Sequence, residues 1–190
     1  MKQIMLVAGS VFASFSLFAQ GTVNFQNNNG SAVTESLSGN KILAGSTYNA
    51  ALYWAVDGTV DQSLFVQIGA TAAIQPLDGL IAAGSRTTPN GTAPGANAMF
   101  QVRVWEAAYG NSYEAVLANQ TTQNGRLGLA GKSNLVRVAT GSPGGQPPTP
   151  PGSLLTAGLQ GFSLDVVPEP SIMGLGMLGA GALFALRRRK

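Results

Sequence analysis

Hydrophobic and polar residues alternate in many short pieces between residues 21 and 167. An alternation with a period of two places every second side chain on the same face of a β-strand. In GTVNFQ, Val23 and Phe25 alternate with polar residues, and in NLVRVAT, Val136 and Val138 do so. Four further segments follow this pattern, with shared-face sets of Tyr48, Ala50, Leu52, Trp54 and Val56; Leu64, Val66, Ile68 and Ala70; Phe100, Val102 and Val104; and Phe162, Leu164 and Val166.

Turn signals separate these pieces, among them Asp57-Gly58 and Asp78-Gly79. No window outside the terminal segments keeps the 3.6-residue period of an amphipathic helix. Short half-buried strands with such turns are typical of an antiparallel β-sandwich or jelly roll, so we predict an all-β domain over residues 20–166 with about seven to nine strands. Residues 141–152 read as a linker by composition, but the strand after them is too short to stand alone, so we expect a loop.

Charge is sparse, and the net positive charge of the chain comes from its two ends. Only 10% of residues are charged, with a formal net charge of +3. Between residues 20 and 167, six basic residues face seven acidic ones, so the domain carries a net charge of −1. Because nucleic-acid binding needs clustered cations that neutralise phosphates, we expect no nucleic-acid partner.

The chain contains no cysteine and no histidine. Thiolate metal sites, zinc hydrolase sites and histidine-based triads therefore lack their required groups. We predict no catalytic residue, no metal and no cofactor, and hence no enzyme. Gly131-Lys132-Ser133 is not a phosphate loop, because the required glycine five residues before Gly131 is replaced by Arg126.

Carboxylate pairs leave two alternatives open. Asp57 and Asp61 straddle one turn, and Glu106 and Glu114 straddle another. Glycosidases need only two such groups, and Asp57 with Asp61 is a candidate for Ca²⁺ ligation. We interpret all four as solvated turn residues, because nothing in the sequence separates a proton donor from a nucleophile.

Residues 1–19 have the pattern of a secretory signal peptide. Lys2 precedes an apolar stretch from Ile4 to Phe18, and Ala19 supplies a small residue for cleavage. An uncleaved membrane anchor is the alternative, although 15 helical residues cover only about 22 Å of a ~30 Å hydrocarbon layer.

A second apolar run without charges occupies residues 172–186, and we predict that it forms a transmembrane helix. Four cations follow it directly. Positive charge beside a span stays on the cytoplasmic side, so the body of the chain is expected to face outward. The residues of this topology anchor are Arg187, Arg188, Arg189 and Lys190.

A proline-bracketed glutamate precedes the apolar run. Each proline removes a backbone donor and holds its neighbours in extended conformations, which suits the substrate of a processing enzyme. With the apolar run and the basic tail, this segment resembles the PEP-CTERM sorting signal of exopolysaccharide-producing Gram-negative bacteria, which exosortase reads. The sorting motif consists of Val167, Pro168, Glu169, Pro170 and Ser171.

The resemblance covers residues 167–190 and implies exosortase as a partner. It further implies export, membrane anchoring through the C-terminal helix, and then residence at the cell surface or in the extracellular matrix. A plain single-span anchor is the alternative.

Trp105 is the most suggestive residue within the body. By strand parity it shares a face with Gln101 and Arg103, and Tyr109 and Tyr113 are close in sequence. An exposed aromatic platform of this kind would stack against the sugars of the cell's own exopolysaccharide, which makes a carbohydrate-binding module the second hypothesis. Alternatively, a loop covers Trp105, or Arg103 covers it in a cation-π contact.

Overall fold

The computed structural model describes residues 20–89, 91–119 and 126–167. The predicted signal peptide (1–19), the sorting motif from Pro168 onwards, the predicted transmembrane helix (172–186) and the basic tail (187–190) lie outside the described residues. The body is rich in β-strands, which confirms the all-β class.

The described residues form ten strands and one short α-helix. The strands are β1 (Thr22–Gln26), β2 (Val33–Glu35), β3 (Gly45–Val56), β4 (Val66–Ile74), β5 (Ala82–Thr87), β6 (Asn97–Glu106), β7 (Leu129–Lys132), β8 (Val136–Ala139), β9 (Gly152–Ser153) and β10 (Phe162–Val166). The helix is α1 (Tyr113–Ala118), and three short 3₁₀ helices span Asn29–Ser31, Gln62–Leu64 and Ala107–Tyr109.

Two sheets share these strands. The smaller sheet has the order β5-β1-β9, and the larger has the order β2-β10-β7-β6-β3-β4, with β8 also paired to β6. Ten strands exceed the predicted seven to nine. Purely antiparallel pairing is also wrong, because β1 pairs with β9 and β10 pairs with β2 in parallel. Parallel pairing needs a long return connection, and both pairs join strands far apart in sequence.

The central pair β3 and β6 carries the alternation predicted from the sequence. On one face, Leu52 of β3 lies opposite Val102 of β6, and Trp54 lies opposite Phe100. These residues pack with Val23 of β1 in one large buried cluster. The strand sets predicted in β1, β6, β8 and β10 all contribute to this cluster, either fully buried or packed against it.

β4 departs from the predicted alternation. Leu64 lies in a 3₁₀ helix and is exposed, Val66 is half exposed, and Ile68 is buried. The register against β3 shifts between Ile68 and Ala72, because β4 carries extra residues there. Gly69 sits in this irregularity with φ of +67°, and a side chain at this position would overlap Arg86.

β7 and β8 pair in turn with the same edge of β6. Between them, the Ser133 hydroxyl accepts a hydrogen bond from the Val102 N–H (3.0 Å), and the Ser133 N–H donates to the Val102 carbonyl (2.8 Å). Ser133 therefore continues the strand pairing across the break, and Gly131-Lys132-Ser133 belongs to a sheet. The proline-rich residues 141–151 connect β8 to β9, which confirms a loop before the final strands.

Candidate functional site

Val167, the residue at which we predict that the sorting motif begins, belongs to the folded body. Val167 directly follows β10, its N–H donates to the Gly128 carbonyl (3.0 Å), and only 4% of its surface is exposed. It is part of a second buried cluster, on the opposite face of the large sheet from the main core. The other buried members are Ala51, Tyr53, Ala55, Phe65, Trp105, Tyr109, Tyr113, Val116 and Ala130.

The chain segment after β6 covers this second cluster. It forms the 3₁₀ helix Ala107–Tyr109 and then α1, which begins where the Ser112 hydroxyl accepts a hydrogen bond from the Ala115 N–H (3.1 Å). Trp105 is fully buried beneath this segment, and its indole N–H donates to the Gly110 carbonyl (3.0 Å).

The structure brings the five proposed glycan-binding residues onto one side of the large sheet, but it buries them. The expectation of an exposed platform is therefore wrong, and the covering loop was the correct alternative. The physical reason is that a strand's second face becomes core when a local helix packs on it. These residues are Gln101, Arg103, Trp105, Tyr109 and Tyr113.

Arg103 is buried and is held by three hydrogen bonds. Its guanidinium donates to the Gln101 side chain (3.0 Å), the Glu114 carboxylate (2.8 Å) and the Gln62 carbonyl (2.7 Å). The guanidinium carbon lies 4.0 Å from the centroid of the Tyr53 ring and 5.3 Å from that of Tyr113. The cation-π contacts of Arg103 are thus with these two tyrosines, whereas the alternative drawn from the sequence placed Arg103 over Trp105.

Two tyrosines of this cluster, Tyr53 and Tyr113, have raised pKa values. Burial raises the pKa of Tyr53 well above its usual value, and the hydrogen bond from its hydroxyl to the Glu114 carboxylate (2.9 Å) raises it further. Burial also raises the pKa of Tyr113. Neither hydroxyl is set up to act as a base near neutral pH.

Arg126 and Glu106 form a second ion pair beside the start of β7. The Arg126 guanidinium donates two hydrogen bonds to the Glu106 carboxylate (2.7 and 3.0 Å), and this pairing raises the pKa of Arg126. The Tyr109 hydroxyl donates to the Arg126 carbonyl (3.1 Å). Sequence reasoning missed both Arg126 and Tyr53, although Ala51, Tyr53 and Ala55 on the second face of β3 were a signal that this face is covered.

The remaining candidate carboxylates have protein partners. Asp57 accepts two hydrogen bonds from the Arg137 guanidinium (both 2.7 Å), which lower its pKa. Asp61 accepts from the Ser63 N–H and hydroxyl, which lower its pKa and cap the 3₁₀ helix Gln62–Leu64. Within residues 20–89, 91–119 and 126–167, no group of three or more carboxylates is arranged to hold a metal ion.

A surface pocket of about 400 Å³ lies between β2 and the start of β3. Polar side chains and apolar surface both line it, and the Ser38 hydroxyl donates to the Glu35 carboxylate (2.8 Å). Tyr48 forms the inner end, and burial together with the nearby carboxylates of Glu106 and Glu35 raises its pKa. The lining residues are Glu35, Ser38, Asn40, Lys41, Ile42, Leu43, Thr47 and Tyr48.

The described body is rich in β-strands, and its last strand, β10, ends at Val166. Among the described residues, no helix is long and apolar enough to cross a membrane. Residues 166–190 match the family model described as PEP-CTERM protein-sorting motif. No curated protein and no solved structure is significantly similar to the chain. The chain thus carries a PEP-CTERM sorting motif, which implies an exported protein that exosortase sorts.

Proposed function

We propose that this chain is a non-enzymatic protein of the cell surface or extracellular matrix, anchored by its C-terminal helix until exosortase processes the tail. The match of residues 166–190 to the sorting motif carries the proposal. The body, residues 20–166, is proposed to be a β-sandwich, with the smaller sheet packed over the larger one. The shared buried cluster, which includes Val23 and Phe25 of the smaller sheet, supports this arrangement.

The state of the carboxylates supports a non-enzymatic role. A catalytic carboxylate has to reach a substrate, whereas Glu106 is held by Arg126 and Glu114 by Arg103. Asp57 is likewise paired with Arg137. These contacts use the carboxylates in ion pairs that link separate parts of the chain.

Expression of the full chain in an exosortase-bearing bacterium, beside the same strain without exosortase, tests the sorting. We expect a shortened form at the surface in the first strain and an unshortened, membrane-bound form in the second. Replacing Pro168, Glu169 and Pro170 together by alanine should abolish the shortened form. The matched control is Pro148→Ala in the exposed loop, which should be processed normally. Equal processing of the triple variant and the control contradicts the proposal.

A second candidate function is binding of the cell's own exopolysaccharide, at the pocket beside β2 rather than at Trp105. The pocket favours it because its lining combines an aromatic side chain and apolar surface with carboxylate, amide, ammonium and hydroxyl groups, and polar groups of these kinds fix a ligand's orientation in binding sites. Titration of the full chain in detergent with purified exopolysaccharide tests this candidate.

Lys41→Ala and Asn40→Ala are expected to weaken that binding. Lys132→Ala, an exposed lysine on β7 outside the pocket, is the control and should bind as the parent does. Isothermal titration calorimetry measures the affinities. If the parent releases or absorbs no heat on titration, or if all variants bind with equal affinity, this candidate is removed.

A further inference from the structure

β10 is held on both of its edges. Phe162, Ser163 and Leu164 pair with β2, and Asp165 and Val166 pair with β7. The Leu164 carbonyl also accepts a hydrogen bond from the Ser36 N–H (3.0 Å). The strand before the sorting motif is therefore an inner strand of the large sheet, and each of its residues pairs with one of the two neighbouring strands.

Close packing of β7 against β10 tightens this arrangement. Gly131 of β7 lies so near β10 that a Cβ atom would overlap the Ser163 carbonyl oxygen and approach the Leu164 side chain to 2.8 Å. A glycine is needed here because any side chain would push the two strands apart.

Val167 adds one more residue to the pairing with β7. Its N–H donates to the Gly128 carbonyl, and its side chain is buried in the second cluster. The following residue, Pro168, has no backbone N–H and cannot donate a further ladder hydrogen bond. Among the described residues, Val167, where we predict that the motif begins, is thus the last backbone donor in this pairing.

This geometry restricts where an enzyme can cut. A processing enzyme holds its substrate as an extended chain on both sides of the bond it breaks, and uses the substrate's backbone groups to do so. From Phe162 to Val167 those groups are engaged in the sheet, so cutting there first requires local opening of β10.

We propose that Val167 is the anchor residue that fixes the sorting motif to the folded body, so that removal of the tail leaves Val167 on the body. The proposal deepens the proposed sorting function and rests on it for the identity of the enzyme. Its structural part, protection of the chain up to Val167, holds for any endopeptidase. In this proposal, the second buried cluster holds the side chain of Val167 and so fixes the end of the body.

Limited digestion of the full chain in detergent with proteinase K tests the protection. The enzyme adds water across a peptide bond, which leaves a new carboxylate on the body and a new amine on the tail. Mass spectrometry then identifies the C-terminal residue of the fragment that contains β10. We expect this residue to be Val167 or a later one. A fragment that ends before Val167 at early times overturns the proposal.

Val167→Ala tests the anchor itself. Loss of its buried methyl groups should raise the rate of cleavage within β10 about tenfold, because local opening becomes easier. The matched control is Asp165→Asn, an exposed position on the same strand, which should leave the rate unchanged. Equal rates in the parent and Val167→Ala contradict the proposal. Hydrogen exchange at the Val167 amide gives a second readout, and it should be slow in the parent and faster in Val167→Ala.

The C-terminal residue of the body recovered from exosortase-bearing cells separates this inference from the proposed function. A body that ends at or after Val167 supports both. A body that ends earlier keeps the sorting and overturns the anchor. If no processed body forms, the sorting proposal fails, and the proteinase K boundary then decides the anchor alone.

Discussion

The two faces of β6 differ in sequence but not in burial. One face carries Phe100, Val102 and Val104, which pack in the main core. The other carries Gln101, Arg103 and Trp105, and these are buried as well. The first face is covered by other strands, whereas α1 and the 3₁₀ helix Ala107–Tyr109 cover the second.

The difference shows how a polar face can become part of an interior. Burying a polar group costs free energy unless it finds a hydrogen-bond partner. Gln101 donates to the Ser133 carbonyl (3.0 Å) and accepts from Arg103, and Arg103 makes two further bonds. Polar residues at alternate positions of a strand therefore do not indicate solvent exposure when a covering segment supplies their partners.

The largest expected effect is the loss of a large aromatic side chain from either face. Phe100→Ala and Trp105→Ala should each lower the free energy of unfolding by about 3–5 kcal/mol, because each removes a fully buried ring and leaves a cavity. Urea denaturation followed by circular dichroism measures both. If Phe100→Ala is costly while Trp105→Ala is nearly neutral, the second face is open and the comparison fails.

Substitution of Arg103 should have the next largest effect. Arg103→Met keeps the length of the side chain but removes three hydrogen bonds, and it should cost about 2–3 kcal/mol because Gln101 then has a buried oxygen without a donor. Arg103→Lys should recover less than half of this loss, since an ammonium cannot reproduce the planar fork. The same urea titrations measure both variants.

Glu114→Gln is the matched control for Arg103. The Glu114 side chain is 56% exposed, so water can replace part of its contact with Arg103. Its substitution should cost clearly less than Arg103→Met. If the two costs are equal, the stability resides in the ion pair itself and not in the buried arginine.

The elements that the sequence predicted correctly are those with a regular period. Val23 and Phe25, or Val136 and Val138, need only the alternation of a strand to be placed on the core face. Trp105 could not be placed in this way, because the cover over its face comes from α1, a helix of six residues. A helix this short carries too little periodicity to be recognised in a sequence.

Sequence periodicity also could not predict the irregularity of β4 or the attachment of the sorting motif to the body. The bulge around Gly69 shifts the register, and an alternation rule has no means to anticipate extra residues in one strand. The presence of a sorting motif at the C-terminal end was predicted from the proline pattern, and the family model matches residues 166–190. The motif's attachment through Val167 depends on the Gly128 carbonyl, which is distant in sequence, so only the fold brings them together.

A pH titration sharpens the comparison further, because the second face holds tyrosines whose pKa values are raised. Above pH 10 the unfolded chain loses its tyrosine protons, while Tyr53 and Tyr113 keep theirs in the folded state. Folding stability that is present below pH 10 is therefore lost as the pH rises, by up to about 1.4 kcal/mol per pH unit for each such tyrosine. Urea titrations between pH 8 and pH 11 measure this slope.

Tyr53→Phe should reduce that slope, because one tyrosine then no longer titrates in the unfolded chain. A Phe100→Leu variant, which changes the other face and removes no titrating group, should keep the parental slope. A slope unaffected by Tyr53→Phe would show that Tyr53 ionises equally in the folded and unfolded states, against the burial of its ring.

The smallest effect is expected at an ion pair that belongs to neither face. Asp57 and Arg137 make a bidentate contact, yet both side chains are substantially exposed. Exposed pairs gain little, because water and salt screen the attraction and two flexible side chains must be ordered. Asp57→Asn should therefore leave the urea midpoint unchanged at physiological salt, although its pairing is as short as that of buried Arg103 with its partners. A clear loss of stability in Asp57→Asn would mean that short contacts, rather than burial, decide the stability of this fold.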